Sequence, residues 1–364
     1  MKILHLTKWY PNLLDPTKGI FIKRQIDLIS KNNDNKIIYL QKNSNQINNY
    51  IIKRTKKNNI EEFIVYYKKN NIISKINLLY LCLKEIINYN PDIIHSHIMG
   101  WNSTLSYLIY KFKNIPFIVS EHWSGYSTKS KYRLSNLSKF IRILVAKNTK
   151  VLIVVSNSLK NEMIKFGIKS QFKVIPNVVD CKIYSVKKNK IFTFIFIGDL
   201  IDEVKNISQI IIAINELIKK NIDVKLNIIG DGKDLKNLKK LRNKLFLNKI
   251  INFLGPKSKE NIDIYIQKSH VLIINSFYES FSIVCAEALS LGIPVISSKC
   301  GGPEEYLNKS TGILFDNNIT NNLINAMIEI KRNYKNYRKK NLIKISDKFK
   351  SSEFQNKINK LYEI

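Results

Sequence analysis

The sequence is poor in the residues that form disulfides and bind metal ions. Its 364 residues include four cysteines and five histidines. Cys82, Cys181, Cys285 and Cys300 are scattered, with neither a CxxC pair nor the Cys/His spacing of a zinc site. We therefore expect reduced thiols that fill the core, and no metal site.

Long apolar segments are also absent. The sequence has no run of about 20 apolar residues, which is the length that a membrane-spanning helix requires. The N-terminus, MKILHLTKWYP, lacks the apolar core of a secretory signal peptide. The sequence therefore predicts a cytoplasmic protein.

Acidic residues are scarce relative to basic ones. The chain has 28 Asp and Glu residues against 60 Lys and Arg, which gives a formal net charge of +32. Lysine, asparagine and isoleucine are abundant throughout, as an A/T-rich genome would dictate, so part of this charge reflects composition. A basic surface still favours anionic lipids or anionic substrates. Because the lysines are dispersed and no nucleic-acid-binding motif is visible, we expect no nucleic-acid partner.

The length of the chain exceeds the size at which a single core keeps growing, so two domains are expected. Apolar strand-like runs alternate with helix-like segments, which indicates an α/β fold. Lys2 to Leu6 reads as the first strand, and Ile76 to Tyr89 as a helix closed by Asn90 and Pro91. Between them, IIYL and FIVYY read as strands separated by lysine-rich turns such as KRTKK.

Three features in the first half of the chain have two interpretations each. The loop that ends at Gly19 is either a cradle for an anion or an ordinary strand-to-helix connection. His97 and His122 lie at strand ends, where they either contact substrate or pack in the core. The basic segment from Ser127 to Lys150 either lies on an anionic membrane surface or is a helix that faces the core.

The most informative stretch reads VLIINSFYESFSIVCAEALSLGIPVISS. It predicts a buried strand from Val271 to Asn275, a loop, and a helix from about Ser282 to Leu291. Ser282 is the predicted N-cap, and Gly292 ends the helix. Ile293 to Ser297 reads as a second strand, so the helix begins at the carboxyl end of a parallel strand.

Phosphate groups bind at such helix starts, because unpaired N–H groups and the positive end of the helix dipole meet there. Glu279 lies in the loop before the helix. Glu287 lies inside the helix, about 7 Å along its axis at 1.5 Å per residue. Carboxylates accept hydrogen bonds from sugar diols. A diphosphate at the helix start would therefore have a ribose near Glu287 and a sugar near Glu279.

The same residues resemble a known family. Glu279 and Glu287, with seven residues between them and GIPVISSKCGGPEEYL after them, resemble the E-x7-E signature of glycosyltransferase family 4. IPNVVD, which begins at Ile175, and GDGKDL, which begins at Gly230, match the same family. Because these motifs are spread along the sequence, the resemblance covers nearly the whole chain. Members of this family are retaining enzymes of the GT-B fold.

The resemblance implies an α/β fold of the GT-B type, with two Rossmann-like β/α/β domains that face a cleft. It also implies a C-terminal helix that crosses back to the first domain. The extents that we predict are 1–185 for the N-terminal acceptor-side domain, 186–340 for the nucleotide-sugar-binding domain, and 341–364 for the returning helix.

The resemblance also implies a set of site residues. The catalytic residues are Glu279, which orients the sugar, His122, which lies against it, and Lys205, which neutralises the diphosphate. The implied donor contacts are Gly19, Gly198, Lys205, Asn206, Phe253, Gly255, Ser280, Phe281, Ser282, Ile283 and Glu287. The sequence departs from the family at two positions, with Asp199 where Arg is common and Ser282 where Gly is usual.

The implied activity is retaining transfer from a UDP- or GDP-linked sugar to a glycan acceptor that is linked to a lipid. This reaction would serve cell-surface polysaccharide synthesis, with the protein peripheral on the inner face of the plasma membrane. No metal or other cofactor is expected. Two alternatives stay open: an inactive GT-B scaffold of a polysaccharide-synthesis complex, and a GT-B sugar-nucleotide epimerase or phosphorylase.

Overall fold

The computed structural model describes residues 1–130, 132–316 and 319–362. The chain divides into two compact units. The first unit comprises Met1–Tyr126, Lys131–Val178 and Phe354–Ile364, and the second comprises Ser127–Ser130 and Val179–Glu353. Each unit contains one sheet, so the predicted α/β class is confirmed. The domain extents predicted from the sequence stay predictions.

The first unit alternates strands and helices along the chain. In order these are β1 (Lys2–Thr7), α1 (Ile20–Ile29), β2 (Asp34–Lys42), β3 (Tyr50–Lys57), β4 (Ile60–Tyr67), α2 (Ile72–Tyr89), β5 (Ile93–His97), α3 (Trp101–Lys113), β6 (Phe117–Glu121), α4 (Asn136–Asn148), β7 (Leu152–Val154), α5 (Asn157–Lys165) and β8 (Phe172–Val174). The sheet order is β3-β4-β2-β1-β5-β6-β7-β8, and only β3 and β4 pair antiparallel among the described strands. Strands β1, β5 and β6 bury nearly every side chain, as parallel strands covered on both faces do.

The prediction of a turn at KRTKK is wrong, because these residues, Lys53 to Lys57, belong to β3. Strand β3 lies at the edge of the sheet and exposes most of its side chains. Pairing with β4 uses the backbone, so it needs no apolar sequence. Lysines on an edge strand also discourage pairing with other sheets, which makes a charged sequence compatible with a strand at this place.

Helix α2 begins at Ile72 rather than at the predicted Ile76. The side chain of Asn71 caps the helix by accepting a hydrogen bond from the backbone N–H of Ser74 at 2.9 Å. Asn90, in the left-handed conformation with φ 49°, ends it as predicted. A polar cap upstream of the apolar pattern therefore sets the start of the helix.

The second unit repeats the alternation. Its elements are β9 (Thr193–Ile197), α6 (Asp202–Lys205), α7 (Ile207–Lys219), β10 (Lys225–Ile229), α8 (Leu235–Lys244), β11 (Ile251–Gly255), α9 (Lys259–Lys268), β12 (Val271–Ile274), α10 (Ile283–Ser290), β13 (Val295–Ser298), β14 (Gly312–Phe315), α11 (Thr320–Arg332) and α12 (Lys339–Ser346). The described strands form a parallel sheet in the order β11-β10-β9-β12-β13-β14. Helix α7 buries Ile207, Ile210, Ile214 and Leu217 in the core, the spacing of one helix face.

The last helix, α13, spans Ser351–Tyr362. Its side chains Phe354, Ile358 and Leu361 lie in the core cluster of the first unit that includes Ile3 of β1. Their spacing places them on one face of the helix, which explains why this end of the chain belongs to the first unit. Among the described residues, every helix is too short or too polar to cross a membrane.

Candidate functional site

The candidate site of the second unit lies where the strand order of its sheet changes direction. Strand β9 has β10 on one side and β12 on the other, and the later strands β13 and β14 continue outward from β12. Ligands of open parallel sheets bind beyond the carboxyl ends of the strands at such a switch point. The segments that follow β9 and β12 carry Lys205 and Glu279, respectively, so the topology brings these distant residues together.

Lys205 and Glu279 form an ion pair. Glu279 Oε1 accepts hydrogen bonds from Lys205 Nζ at 2.6 Å and from Ser276 Oγ at 2.8 Å. The Lys205 and Glu279 side chains are 24 % and 15 % exposed, so the pair is shielded but reachable from solvent. Burial lowers the pKa of Lys205, but the carboxylates of Glu279 and Asp199 outweigh burial and raise that pKa above its usual value. Lys205 is therefore a cation at neutral pH.

Asp199 follows β9 and is exposed. Its carboxylate is one of the groups that raise the pKa of Lys205, so it acts on the same charge as Glu279 does. An arginine at this position would add a second cation to the loop. With aspartate in its place, a diphosphate near Lys205 meets less positive charge.

The loop that carries Glu279 is held by the backbone of a second loop. Glu279 N donates to Cys300 O at 2.7 Å, and Gly302 N donates to Glu279 O at 2.9 Å. A Cβ on Gly302 would lie 2.5 Å from Phe281 Cα, so only glycine fits at this position. The ring of Phe281 is buried against Tyr306, with ring centroids 5.7 Å apart. Among the predicted donor contacts, Phe281 therefore offers its backbone rather than its ring.

The prediction that Ser282 caps α10 with its side chain is wrong. Ser282 occupies the N-cap position, but its backbone is left-handed with φ 65°, and its hydroxyl makes no cap hydrogen bond. The hydroxyl is buried without a hydrogen-bond partner among the described residues. The left-handed conformation explains why glycine is usual here in the resembled family. The first amides of α10, from Ile283 on, have no partner within the helix and lie beside this residue.

Glu287 has its own counter-ion, Lys259 of α9. Lys259 Nζ lies 3.1 Å from Glu287 Oε1 and also pairs with Asp263 one turn further along α9. Burial lowers the pKa of Lys259, but Glu287 and Asp263 outweigh it and raise that pKa. Lys259 is not among the site residues that the sequence predicts. The only signal for it was the spacing of Lys259 and Asp263, which places the two on one helix face.

Two of the predicted donor contacts, Phe253 and Gly255, lie in the carboxyl-terminal half of β11. Gly255 ends this strand with φ 69°, and a side chain there would meet open space. The ring of Phe253 lies 5.5 Å from the guanidinium of Arg242. Next to it, Gly230 approaches Gly198 so closely that a Cβ on Gly230 would lie 2.0 Å from Gly198 O. Glycines at these strand ends therefore bring three strand termini close together.

In the first unit, Gly19 lies at the N-cap of α1 with φ 66°. A Cβ at this position would lie 2.7 Å from the carbonyl carbon and oxygen of Trp9. Both the backbone conformation and the lack of space therefore require glycine. The loop after β1 is thereby held against the first turn of α1.

His122 follows β6 and is buried. Burial lowers its pKa to about 3, against the effect of a hydrogen bond with Asn177 that raises it. The imidazole is therefore neutral at pH 7. Its ring centroid lies 4.7 Å from that of Phe21, two residues after Gly19, so the predicted catalytic residue His122 lies near the predicted donor contact Gly19.

A buried carboxylate, Glu121, organises the loop that carries His122. Its Oε1 accepts from the backbone N–H groups of His122 and Trp123 at 2.8 and 2.9 Å. Its Oε2 accepts from Tyr126 Oη at 3.0 Å, and Arg142 Nη1 donates to that hydroxyl at 2.8 Å. Sequence patterns gave no sign of this role, because Glu121 reads as an ordinary polar residue at the end of a strand.

Three buried histidines, His5, His95 and His97, lie on neighbouring strands β1 and β5. Their nitrogen atoms lie within 4.8 Å of one another, a spacing compatible with a metal ion. However, the rings of His95 and His97 stack at 4.0 Å, and His95 bonds Tyr362 Oη and Ser120 Oγ, both at 2.7 Å. Burial lowers the pKa of His5 to about 4 and that of the other two well below the usual value. The geometry is that of a neutral hydrogen-bonded network, which favours the core interpretation of His97.

Two protein families match the chain. The one described as Glycosyltransferase Family 4 matches residues 52–183, and the one described as Glycosyl transferases group 1 matches residues 182–348. An uncharacterized glycosyltransferase of Methanocaldococcus jannaschii is 28 % identical over 250 residues, which is 66 % of each chain. Alpha-monoglucosyldiacylglycerol synthase of Acholeplasma laidlawii is 24 % identical over 270 residues, 66 % of this chain and 67 % of that protein. The match thus spans about two thirds of these relatives.

Solved structures share the fold over almost their whole length. Sucrose-phosphate synthase from Thermosynechococcus elongatus has a TM-score of 0.83 at 17 % identity, covering 100 % of this chain and 98 % of that one. Anabaena HepE in complex with UDP has a TM-score of 0.77 at 16 % identity, with 100 % of both chains covered. These similarities confirm the predicted GT-B fold. The two family matches, which together span residues 52–348, confirm the predicted similarity to glycosyltransferase family 4.

Proposed function

We propose that this protein transfers a sugar from a UDP- or GDP-linked donor to a lipid-linked glycan, with retention of the anomeric configuration. The observation that carries the proposal is the ion pair of Lys205 and Glu279, which lies at the switch point of the second sheet. The amides at the start of α10 follow Glu279 by only a few residues. A cation, unpaired amides and a carboxylate are the groups that a nucleoside-diphosphate sugar requires.

In the proposed reaction, Lys205 and the first amides of α10 stabilise the charge that develops on the departing diphosphate. Glu279 orients the hydroxyls of the transferred sugar, and Glu287 holds the ribose. The bond from the anomeric carbon to the diphosphate breaks, and the acceptor oxygen bonds to that carbon on the same face. The acceptor proton passes to the departing phosphate oxygen. In the first unit, Gly19 stays a predicted donor contact and His122 a predicted catalytic residue.

Three observations support an acceptor at an anionic membrane. The charge of +32 favours anionic surfaces. The Acholeplasma relative is named for a diacylglycerol product. Helix α4, which lies in the basic segment from Ser127 to Lys150, buries Val145 and Ala146 but exposes Leu137 and Phe140. This helix therefore faces the core on one side and presents apolar side chains on the other. We propose that the protein acts on the inner face of the plasma membrane in cell-surface polysaccharide synthesis.

A thermal-shift panel of UDP, GDP and their sugar conjugates tests the donor. We expect one nucleotide family to raise the melting temperature of the wild type, and the Lys205→Met variant to lose that shift. The matched control is Lys299→Met, since Lys299 pairs with Asp316 on an exposed part of the same unit. If no nucleotide shifts melting at concentrations that saturate related enzymes, the proposal fails.

An inactive scaffold of a polysaccharide-synthesis complex is the second candidate, and Asp199 is the observation that favours it. A carboxylate in place of an arginine weakens the attraction for a diphosphate near Lys205. The same panel separates the two functions, because a scaffold of this kind shows no nucleotide shift. In an inactive scaffold, Asp199→Arg would create nucleotide binding. In an active enzyme, the same substitution would change a nucleotide affinity that already exists.

A further inference from the structure

Helix α2 has two apolar faces, and only one of them is packed. The packed face buries Leu78, Cys82 and Ile86 in the first unit. The opposite side, which we call the outer stripe, exposes large apolar side chains. Its members are Ile72, Ile73, Ile76, Leu79, Tyr80 and Ile87.

The outer stripe is continuous. At 100° per residue its members fall within an arc of about 120°, and the 18-residue helix is about 27 Å long. Exposure is high along the whole length: 69 % for Ile72, 59 % for Ile76, 64 % for Tyr80 and 66 % for Ile87. On the surfaces of soluble proteins, large apolar side chains are usually exposed singly. A stripe of this length therefore indicates an interaction surface.

Positive charges flank the stripe. On the helical wheel, Lys75 lies beyond one edge of the apolar arc and Lys84 beyond the other, and both are exposed. The acidic residue of the helix, Glu85, lies on the packed face, where it pairs with Lys36 and Arg54. The outer side of α2 therefore presents apolar side chains bordered by cations, without a carboxylate.

Strand β3 extends the basic character beside the helix. Tyr50 Oη donates to Ser74 O of α2 at 3.4 Å, and Arg54 pairs with Glu85, so the strand lies next to the helix. On the face of the strand that Tyr50 and Arg54 share, Lys56 is exposed as well. Strand β3 therefore adds positive charge beside the helix.

We propose that the outer stripe of α2 inserts into the interface of an anionic lipid bilayer, with Lys75 and Lys84 at the level of the headgroups. An apolar arc bordered by lysines is the pattern of a helix that lies in the plane of a membrane surface. A second copy of the chain is a poorer occupant, because it would bring like charges on two proteins of net charge +32 together. An anionic bilayer instead supplies the opposite charge.

The inference deepens the proposed function, on which its biological purpose rests. A protein held at the bilayer by α2 meets a lipid-linked acceptor where that acceptor resides. The geometry of the stripe itself does not depend on the transfer reaction. Lipid binding and nucleotide binding can therefore fail separately.

Co-sedimentation of the full chain with phosphatidylcholine vesicles, with and without phosphatidylglycerol, tests the proposal. We expect the triple variant Ile72→Gln/Ile76→Gln/Tyr80→Gln to bind anionic vesicles at least about tenfold more weakly than wild type. The matched control, Ile164→Gln/Ile183→Gln/Phe246→Gln, removes three exposed apolar side chains elsewhere and should bind as wild type does. Lys75→Gln/Lys84→Gln should lose most of the preference for phosphatidylglycerol.

Each result decides the proposal. Equal vesicle binding by wild type and the α2 triple variant overturns it. The proposal is also overturned if the wild type does not bind vesicles but forms dimers that the α2 variant cannot form, because the stripe is then a contact between copies. A nucleotide shift that persists in the α2 variant shows that the variant is folded and that its donor site is intact. Absence of any nucleotide shift in wild type refutes the proposed function and leaves the vesicle result standing.

Discussion

A double-mutant cycle on Lys205 and Glu279 can separate the contribution of their ion pair to stability from its contribution to catalysis. The single variants Lys205→Met and Glu279→Gln each remove one charge and leave the other without its partner. The double variant removes both charges. If the pair is a structural salt bridge as well as a part of the donor site, the double variant should regain stability but not activity.

The magnitude follows from the burial of the pair. Breaking a fully buried ion pair costs about 3–5 kcal/mol, because it leaves an uncompensated charge in the protein. Lys205 and Glu279 are 24 % and 15 % exposed. Solvent screening should therefore reduce the cost of each single variant to about 1–2 kcal/mol. The double variant should cost less than the more damaging single one. Turnover should fall by about 100-fold or more in all three, since Lys205 stabilises the departing diphosphate and Glu279 orients the transferred sugar.

Urea unfolding measures the free energy of unfolding of each variant, and an assay of sugar transfer or donor hydrolysis measures its turnover. Lys299→Met is the control for a pair that is only structural: Lys299 and Asp316 are 50 % and 59 % exposed, so its effect should stay within about 0.5 kcal/mol. Recovery of turnover together with stability in the double variant would refute the catalytic role. Destabilisation of the double variant by the sum of the single effects would refute the coupling.

Three further predictions concern the loops and the core. Ser282→Gly should raise the free energy of unfolding by up to about 1 kcal/mol, because Ser282 is left-handed. Ser290→Gly, inside the last turn of the same helix, should lower it by a similar amount in the same urea titration. Gly19→Ala should destabilise more than Gly255→Ala: both are left-handed, but only the former places a Cβ against a backbone. The buried His5, with a pKa of about 4 in the folded protein against 6.5 unfolded, should make stability pH-dependent. Its contribution is complete above pH 6.5 and is lost as the pH falls from 6.5 to about 4, at a cost of about 3 kcal/mol. Urea unfolding at pH 7.5 and 5 should show about 2 kcal/mol of this loss, and the difference should be smaller in His5→Gln.

Local patterns predicted the centre of the second unit well. The strand, loop, helix and strand from Val271 to Ser298 form as expected, because apolar runs and the glycine at position 292 act over a few residues. The E-x7-E spacing predicts Glu279 and Glu287 as site residues, and their roles stay predictions. Short-range signals of this kind need no knowledge of the tertiary structure.

The features that the sequence did not predict correctly depend on backbone conformation or on contacts between residues that are distant in the sequence. Serine is a good cap in the usual extended conformation, but the loop before α10 requires a left-handed residue at position 282, which a residue preference cannot show. Lys259 reaches Glu287 from another helix. Apolar periodicity marks α2 as a helix, but it does not reveal which of its two apolar faces has no partner. That distinction requires the tertiary structure, because it depends on which face of α2 packs against the rest of the first unit.

The two glutamates of the motif share one electrostatic arrangement. Each is held by a lysine from a different element: Glu279 by Lys205, which follows β9, and Glu287 by Lys259 of α9. A carboxylate offers about four acceptor positions, and Lys205 and Ser276 occupy two of those on Glu279. Sugar hydroxyls can therefore bind Glu279 without displacing Lys205. The lysine holds the carboxylate in position before the donor arrives, and the carboxylate in turn holds the lysine where a diphosphate would need it. Preorganised charges cost no rearrangement during the reaction, which is why removal of one partner should impair the other even where the fold survives.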